Sequence, residues 1–419
     1  MPLKIIHINT YRDNGGAGKA ASRLNFALKQ QGVDSALWVN FSFEKDSSHN
    51  NFSSGLLRRA LAAGGIILEQ LMAKLLLKPL KTPFSFSIWG QDISGHPAIR
   101  EADILHLHWV NHGFLRPADL AQLGKLNKPI VWTFHDSNAF TGGCHVRYSC
   151  DHFEEECGNC PLLKDSNPND WSHRIWKQKA MAYANLNFNV IAPSKWMADS
   201  VHRSKLLSSC NSHVIPNTLN TAIFKPADKR QARIDLGVNE NTFVMLSGFM
   251  PSRNDLHKGT SYLMEALAII SKEIPPHKIE LIVFGNRSSV DLPDFPVKVT
   301  FLGRIDSEER LAKCYSAADV FLAPSLEDNL PYTVMESLAC GTPVVAFTTG
   351  GIPDMVNHQV NGYLAKYRSA EDLAAGMLWV YEHPERSTLN ENARKTIEDH
   401  FSEHVIAGQH IQLYKSLLQ

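Results

Sequence analysis

Two carboxylates and one ammonium group stand where an anionic, hydroxyl-rich ligand could be held. Asp328 and Glu336 lie in the segment Pro324-Ser325-Leu326-Glu327-Asp328-Asn329-Leu330-Pro331-Tyr332-Thr333-Val334-Met335-Glu336, and Ala339-Cys340-Gly341-Thr342-Pro343 follows at once. An apolar strand ending in Pro-Ser, a loop with one carboxylate, a helix with the second and a Gly-Thr-Pro turn describe the carboxyl edge of a βαβ unit. Ligands bind at that edge in open α/β sheets. The spacing lets Asp328 sit on the loop over a ligand while Glu336 looks out from the helix. A carboxylate there can accept hydrogen bonds from a cis-diol; its plainer role is a Glu near a helix N-terminus, favoured by the helix dipole. Lys258, in His257-Lys258-Gly259-Thr260, opens a helix after a strand ending at Ser247-Gly248. It places a cation and helix-terminal N–H groups near one point, a combination that holds phosphate. Elsewhere in a chain, an isolated Lys-Gly would be a solvated surface cation.

The cysteines form a second group. Cys144, Cys150, Cys157 and Cys160 lie close together, and Cys157-Gly158-Asn159-Cys160 is a knuckle that lets two thiolates meet one ion. A structural zinc is the reading favoured for a reducing compartment, with His145 or His152 able to replace one thiolate. Free thiols in a redox-labile loop, or two disulfides formed under oxidation, are the alternatives. Cys210, Cys314 and Cys340 read as ordinary buried or half-buried small residues. Thr133-Phe134-His135-Asp136 ends a strand and brings an imidazole to the same edge of a sheet, while His106 and His108 end the strand before it and would stand behind it.

The elements that must position these groups alternate. Leu3 to Asn9 reads as a buried parallel strand, and Gly15-Gly16-Ala17-Gly18 starts a helix that runs to about Gln31 and stops at Gly32. Strands are expected at Ser35 to Val39, Ile104 to His108, Ile130 to Phe134 and Asn189 to Ala192. A second series is expected at Phe243 to Ser247, Glu280 to Phe284, Val297 to Phe301, Val320 to Ala323 and Pro343 to Phe347. Alternating β and α elements predict parallel sheets. The boundary falls where Pro216 and Pro226 bracket a polar segment, giving domains at 1–216, with the Cys-rich loop at 140–163, and at 217–399. Residues 400–419 hold a last periodic helix.

With 419 residues, the chain suits two domains of about 200 residues each. A composition 44% hydrophobic and 20% charged excludes disorder. Lys plus Arg and Asp plus Glu each number 42, so the chain lacks the bulk positive charge of a nucleic-acid binder. The start lacks the regions of a signal peptide, and no apolar run reaches the length of a spanning helix, so a cytoplasmic location is expected. Residues 56–81 alternate Leu, Ile and Met with Arg58, Arg59, Lys74, Lys78 and Lys81. They predict one or two basic amphipathic helices, either lying on the inner face of an anionic membrane or packed on a core with a basic solvated side.

From Gly15-Gly16 through Val214-Ile215-Pro216-Asn217, Lys258, Asp328 and Glu336 to Gly350-Gly351-Ile352-Pro353-Asp354 and Asn361-Gly362, the order of motifs resembles the group 1, family 4 glycosyltransferases. The resemblance implies a GT-B fold, α/β, with two Rossmann-like domains whose parallel sheets face each other across a cleft. It also implies a last helix that crosses back onto the first domain. The implied activity is retaining, metal-independent hexosyl transfer from a UDP- or GDP-sugar to a saccharide or lipid-linked saccharide. Arg253 and Lys258 would hold the diphosphate, although Ser252 stands where the family usually places Gly. Asp328 would take the place of the family's first Glu near the donor sugar, with Glu327 able to serve if the loop shifts by one residue. Backbone N–H groups of Asn329 and Leu330 would face the diphosphate or the sugar, Glu336 the ribose, and the loop at Gly303-Arg304 the base. Gly16 would let backbone approach the phosphate or the acceptor, and His135 would face the donor sugar. Phe140-Thr141-Gly142-Gly143-Cys144-His145 and Cys157-Gly158-Asn159-Cys160-Pro161 are similar to an exopolysaccharide, colanic-acid-type subgroup. The Asp-x-Asp of metal-dependent transferases is absent where such enzymes place it. An epimerase or hydrolase on the same fold, or a nucleotide-sugar-binding subunit without activity, are the other functions this pattern could carry.

Overall fold

The computed structural model describes residues 3–12, 15–41, 50–79, 83–248, 258–285 and 295–419. It divides the chain into one compact unit of Met1–Thr218 with Ile406–Gln419 and a second of Leu219–Val405.

In the first unit, six parallel strands run in the order β2-β1-β3-β4-β5-β6. They are β1 (Lys4–Asn9), β2 (Asp34–Val39), β3 (Ile104–Leu107), β4 (Ile130–Thr133), β5 (Phe188–Ala192) and β6 (Ser212–Val214). Helices α1 (Gly15–Gln30), α2 (Leu56–Leu76), α3 (Pro97–Glu101), α4 (Pro117–Gly124), α5 (Trp171–Tyr183) and α6 (Lys195–Arg203) connect them. Near-continuous apolar strands such as β3 and β4, buried at every position, are what a parallel sheet covered on both faces requires. One face packs Ile6, Ile8, Leu105, Leu107, Trp132 and Val190 into the larger core. On the other, Ile5, Ile104, Val131 and Ile191 meet Leu24 and Leu28 of α1 and Ile406, Ala407, Leu413 and Tyr414 near the C-terminus.

The second unit orders its strands β12-β11-β10-β7-β8-β9, all parallel. These are β7 (Phe243–Gly248), β8 (Ile279–Phe284), β9 (Lys298–Gly303), β10 (Val320–Ala323), β11 (Val344–Phe347) and β12 (Gly362–Ala365). The helices are α7 (Lys229–Leu236), α8 (Thr260–Glu273), α9 (Glu308–Ala317), α10 (Tyr332–Ala339), α11 (Ala370–Glu382) and α12 (Arg386–His400), and α13 (Glu403–Ser416) ends the chain. Strand order reverses between β1 and β3 in the first sheet and between β7 and β10 in the second. In open α/β sheets, ligands bind outside the carboxyl ends of such pairs.

Among the described residues, no helix is long and apolar enough to cross a membrane. Within the basic amphipathic segment 56–81, Leu56–Leu76 forms the single helix α2. Its buried positions are Ala62, Gly65 and Glu69, and a Cβ at Gly65 would lie 2.5 Å from the Trp89 ring. Glu69 accepts a hydrogen bond from the Phe86 N–H at 2.7 Å. Leu57, Leu61, Ile67, Leu71 and Leu75 are exposed, between 41% and 74%. The apolar side is therefore divided: Met72, Ala73 and Leu76 pack against a small core that includes Leu77, Phe84 and Phe86, while Leu57, Leu61, Ile67, Leu71 and Leu75 face outward.

Candidate functional site

At the switch point of the second sheet, β7 leads toward Lys258 and β10 runs into the loop carrying Asp328. Lys258 Nζ lies 3.2 Å from Asp328 Oδ2, so two residues seventy positions apart in sequence form one charged pair at the carboxyl edge. Two glycines make this approach geometrically available. Gly259 has φ +65°, and a Cβ there would stand 1.9 Å from the Pro324 carbonyl oxygen. Gly350 has φ +54°, and its Cβ would stand 1.7 Å from the Asp328 carbonyl oxygen. A side chain at either position would be both strained and blocked. The Gly351 N–H donates to that same Asp328 carbonyl at 3.1 Å, and the Thr349 hydroxyl donates to the Leu326 carbonyl at 2.9 Å. The acidic loop is therefore gripped between the start of α8 and the turn at 349–351. Gly259, the residue before α8, brings no capping side chain of its own, and N–H groups at a helix start can face an anion.

The remaining expected groups of this unit fall into several environments. Glu336 is the fifth residue of α10 and only 3% exposed. Its Oε2 accepts a hydrogen bond from the Tyr315 hydroxyl at 3.1 Å. It does not look out from the helix as its spacing predicts, because Tyr315 on α9, fully buried in the same core, covers it. Leu330 is buried and Asn329 half-buried beside Asp328. Gly303, at φ +68°, ends β9, and its carbonyl accepts from the Gly285 N–H at 2.9 Å. Arg304 points to Asp306, with Nε 2.6 Å from Oδ1 in an exposed pair. Arg253 lies outside the described residues.

In the first unit, Gly16 is exposed and a Cβ there would meet nothing within 4 Å. Gly18 is the glycine that the packing of α1 demands, since its Cβ would lie 2.5 Å from the Arg12 carbonyl oxygen. His135, just past β4, is half-buried and leads a group of imidazoles that the sequence only partly reveals. His135 Nε2 lies 3.0 Å from His108 Nδ1, and His108 Nε2 lies 2.9 Å from His7 Nδ1. His106 sits between the Tyr414 hydroxyl, 2.6 Å from Nδ1, and the Thr133 hydroxyl, 2.7 Å from Nε2. His410 donates from Nδ1 to the Ile406 carbonyl at 2.9 Å. Burial pushes the His7 imidazole down to about 3 and those of His135 and His410 down to about 4; it also drives His106 and His108 well below the ordinary value. All five stay neutral near pH 7. A small cavity bordered by His108, Thr133, His135, Asn217 and His410 gives a water-sized sphere about 10 Å³, room for about one water.

His7 is the functional candidate that the sequence analysis passed over. Its signal was a polar ring inside the apolar run of β1, at a position whose parallel register pairs it with His106. Nitrogens of His7, His106 and His108 lie within 4.8 Å of one another. Nevertheless, the rings of His106 and His108 stack at 4.3 Å with 23° between planes, and both nitrogens of His108 are spent on neighbouring imidazoles. The arrangement is that of a hydrogen-bonded network.

Beside it, Asp136 Oδ2 accepts from His145 Nδ1 at 2.6 Å and from the Trp109 indole at 2.8 Å. Burial works against the Asp136 carboxylate, but His145 and the indole outweigh it and hold the carboxyl below its usual range. The Lys179 ammonium, buried on α5, donates to the Asn138 and Thr141 carbonyls and braces the loop after Asp136; burial pushes it down to about 8.

The cysteine reading finds no support in the geometry. Cys144, Cys150, Cys157 and Cys160 are free thiols, and among the described residues the ligating atoms that converge belong to the three histidines above, not to the cysteines. The Cys157 sulfur accepts from the Gly142 N–H at 3.2 Å, whereas Cys160 packs among Phe84, Phe86, Leu163 and Ile175. Burial raises all four thiols, Cys157 to about 12. The substitutes for a thiolate are also engaged, His145 by Asp136 and His152 by the Gly158 carbonyl at 2.9 Å. The geometry gives the zinc reading no support.

A D-inositol 3-phosphate glycosyltransferase of Segniliparus rotundus is 30% identical over 216 residues, 49% of this chain and 47% of that protein. The chain thus spans about half the length of this group of relatives. Escherichia coli WcaC, assigned provisionally as a colanic acid biosynthesis glycosyl transferase, is 24% identical over 82% of this chain and 83% of its own. Among solved structures, sucrose-phosphate synthase from Thermosynechococcus elongatus aligns over 99% of each chain with TM-score 0.65 and 19% identity. Anabaena HepE in complex with UDP aligns over 99% of this chain and 100% of its own, with TM-score 0.63 and 18% identity. Residues 241–383 match the group described as glycosyl transferases group 1. Residues 14–223, half of the chain, match Glycosyltransferase Family 4, so the chain belongs to that family and has its two-sheet α/β GT-B architecture.

Proposed function

We propose that this protein moves a sugar from a nucleotide diphosphate donor to a saccharide acceptor with retention of anomeric configuration, in the building of a surface polysaccharide. The observation that carries the reading is the Lys258–Asp328 pair at the β7/β10 switch point, beside the start of α8. Cation and N–H groups there can take the charge of a diphosphate leaving group without a metal, with Arg253 as the second cation. Asp328 would take the first acidic position rather than Glu327, and the Asn329 and Leu330 N–H groups would meet the diphosphate or the sugar. Glu336 would bind the ribose hydroxyls once its bond to Tyr315 opens. Gly303 and Arg304 would edge the base, Gly16 would lie under the phosphate or acceptor, and His135 would hydrogen-bond a hydroxyl of the donor sugar.

In the reaction, the bond from the anomeric carbon to the phosphate oxygen breaks and the acceptor hydroxyl attacks the same face. Its proton passes to the departing phosphate, so no protein base is assigned. HepE, which shares the fold, was crystallised with UDP and with UDP-glucose, which supports a UDP-sugar before a GDP-sugar. The WcaC likeness supports a polysaccharide product. The outward leucines of α2, flanked by Arg58, Arg59, Lys74 and Lys78, support contact with an anionic membrane surface carrying a lipid-linked acceptor, and hence a place at the cytoplasmic face.

A melting panel of UDP, GDP, ADP and their common sugars tests the site. One nucleotide series should stabilise the wild type, by about 2.7 kcal/mol at a hundred times Kd, and fail to stabilise Lys258→Ala. Equal stabilisation of the variant would place the site elsewhere. Stabilisation without turnover on any acceptor would make the protein a binding subunit.

A further inference from the structure

A helix of a globular protein turns its leucines toward the core, and α2 keeps most of its leucines outside. Over about 27 Å of helix, Leu57, Leu61, Ile67, Leu71 and Leu75 are exposed, and Gly64 among them has open space beside it. Its last turns do meet an apolar core, through Met72, Ala73 and Leu76. Something other than leucine burial therefore sets the phase of the rest. Gly65 is one such hold. A Cβ at Gly113 would stand 2.7 Å from the Gly65 carbonyl carbon, so the two backbones touch and a leucine cannot roll into that place. Glu69 is the other. Its carboxylate is 3% exposed and accepts from the Phe86 N–H at 2.7 Å. Burial raises its pKa, and the N–H groups of Phe86, Ile88 and Ser87 act against that rise. Ser87 is left-handed, with φ 54°, as in turns that aim successive N–H groups at one anion. Rolling the leucines inward would withdraw the carboxylate and leave the Phe86 N–H buried without a partner. At the far end, the Lys164 ammonium ties α2 down by donating to the Lys74 and Leu75 carbonyls at 3.2 and 2.8 Å.

We propose that Gly65 and Glu69 are positioning residues that lock the phase of α2, so that its leucine face is presented to an anionic lipid surface. The lipid partner rests on the membrane contact put forward under the proposed function, but the lock does not. Charge selects lipid over a second copy of the chain. Arg58, Arg59, Lys74 and Lys78 are exposed, while the one acid of the helix, Glu69, is buried. Two-fold pairing of copies would set the arginine end against the lysine end when antiparallel, and arginines against arginines when parallel. Like charges meet either way, whereas anionic headgroups satisfy both ends.

The test is flotation of the full chain with phosphatidylglycerol vesicles, joined to lipid photo-crosslinking from p-benzoylphenylalanine in place of Leu71. Wild type should float, and the probe should cross-link to lipid. Glu69→Leu should bind about tenfold more weakly, the factor expected when the competent phase falls to about a tenth of the population, and should lose the crosslink while still melting cooperatively. Glu69→Gln keeps an acceptor oxygen at the same reach and should bind as wild type does. Glu69→Asp keeps the charge on a shorter side chain and should bind as weakly as Glu69→Leu, which decides the question should the leucine variant not fold. Unchanged vesicle affinity in folded Glu69→Leu or Glu69→Asp would overturn the lock and leave membrane contact standing. Absence of wild-type binding, or a dimer that Leu71→Glu dissociates, would overturn the lipid partner itself.

Discussion

Acid should unfold the first unit well before its carboxylates titrate, because its buried histidines fold neutral. The sign follows from their pKa values. In the unfolded chain each titrates near 6.5, whereas burial holds His7 at about 3 and His135 and His410 at about 4 in the fold. Below 6.5 the unfolded state therefore binds more protons, and stability falls as pH falls. The stabilisation is complete above 6.5 and is lost down to the folded values. At pH 5 each ring costs about 2 kcal/mol relative to pH 8, so these three cost about 6 kcal/mol, comparable to the whole stability of a domain. His106 and His108, also driven down, act in the same direction. Asp136, held below its usual range, loses its contribution only at lower pH, whereas Glu69, raised by burial, takes up its proton first in the fold and offsets part of the loss. Urea unfolding followed by tryptophan fluorescence suits the question, since seven of the eight tryptophans precede residue 219 and report the first unit. His410→Phe should flatten the slope between pH 6.5 and 5 by up to about 1.4 kcal/mol per pH unit. A total loss below about 2 kcal/mol from pH 8 to 5, less than one ring accounts for, would refute the neutral buried network.

Three further outcomes follow from the packing. Gly259→Ala should destabilise the second unit by about 2–3 kcal/mol in thermal or urea unfolding, since the new methyl meets the Pro324 carbonyl in a left-handed backbone; wild-type stability would disprove the grip on the acidic loop. Leu57→Glu with Leu71→Glu should leave the melting temperature within a degree or two of wild type, both side chains being more than half exposed, while abolishing flotation with phosphatidylglycerol vesicles. Flotation that persists in the variant, or none in wild type, counts against membrane contact by α2. Raising the salt concentration should weaken wild-type binding if Arg58, Arg59, Lys74 and Lys78 meet anionic headgroups.

The core strands were legible because apolar runs bounded by turns are what parallel sheets require. The edge strands β6 and β12 were not, since Ser212–Val214 has three residues, none of them fully buried, and Gly362–Ala365 opens with glycine. The Lys258–Asp328 pair was half legible: order along the βα series placed both at one edge, but their contact depends on Gly259 and Gly350. Glu336 shows where spacing stops short, because the phase that turns it under Tyr315 is set by how α9 and α10 pack. Cysteine spacing likewise fixes proximity without aim. Cys157 and Asn159 both take left-handed φ, 55° and 47°, and this turn leaves the Cys157 sulfur on the Gly142 N–H. His7 was lost for another reason: a single polar residue in an apolar strand acquires meaning only when the register sets His106 beside it.

On the proposed function, in which Asp328 takes the first acidic position, the charged pair bears on the choice of aspartate there. With Lys258 and Asp328 side chains 31% and 23% exposed, the pair itself is worth at most about 1 kcal/mol. In the proposed donor complex, a diphosphate, whose charge-assisted bonds are roughly twice as strong as neutral ones, would displace it at little cost. What the pair supplies is direction, holding a flexible ammonium against the acidic loop. That service depends on the carboxylate's reach, because the backbone behind it has no slack: the Asp328 carbonyl accepts from Gly351 N–H and abuts Gly350. Lengthening the side chain in Asp328→Glu would therefore carry the carboxylate past Lys258 rather than let the loop retreat. A longer acid at this position requires a loop held differently at 349–351, so side-chain length and the glycine turn behind it belong to one geometric solution.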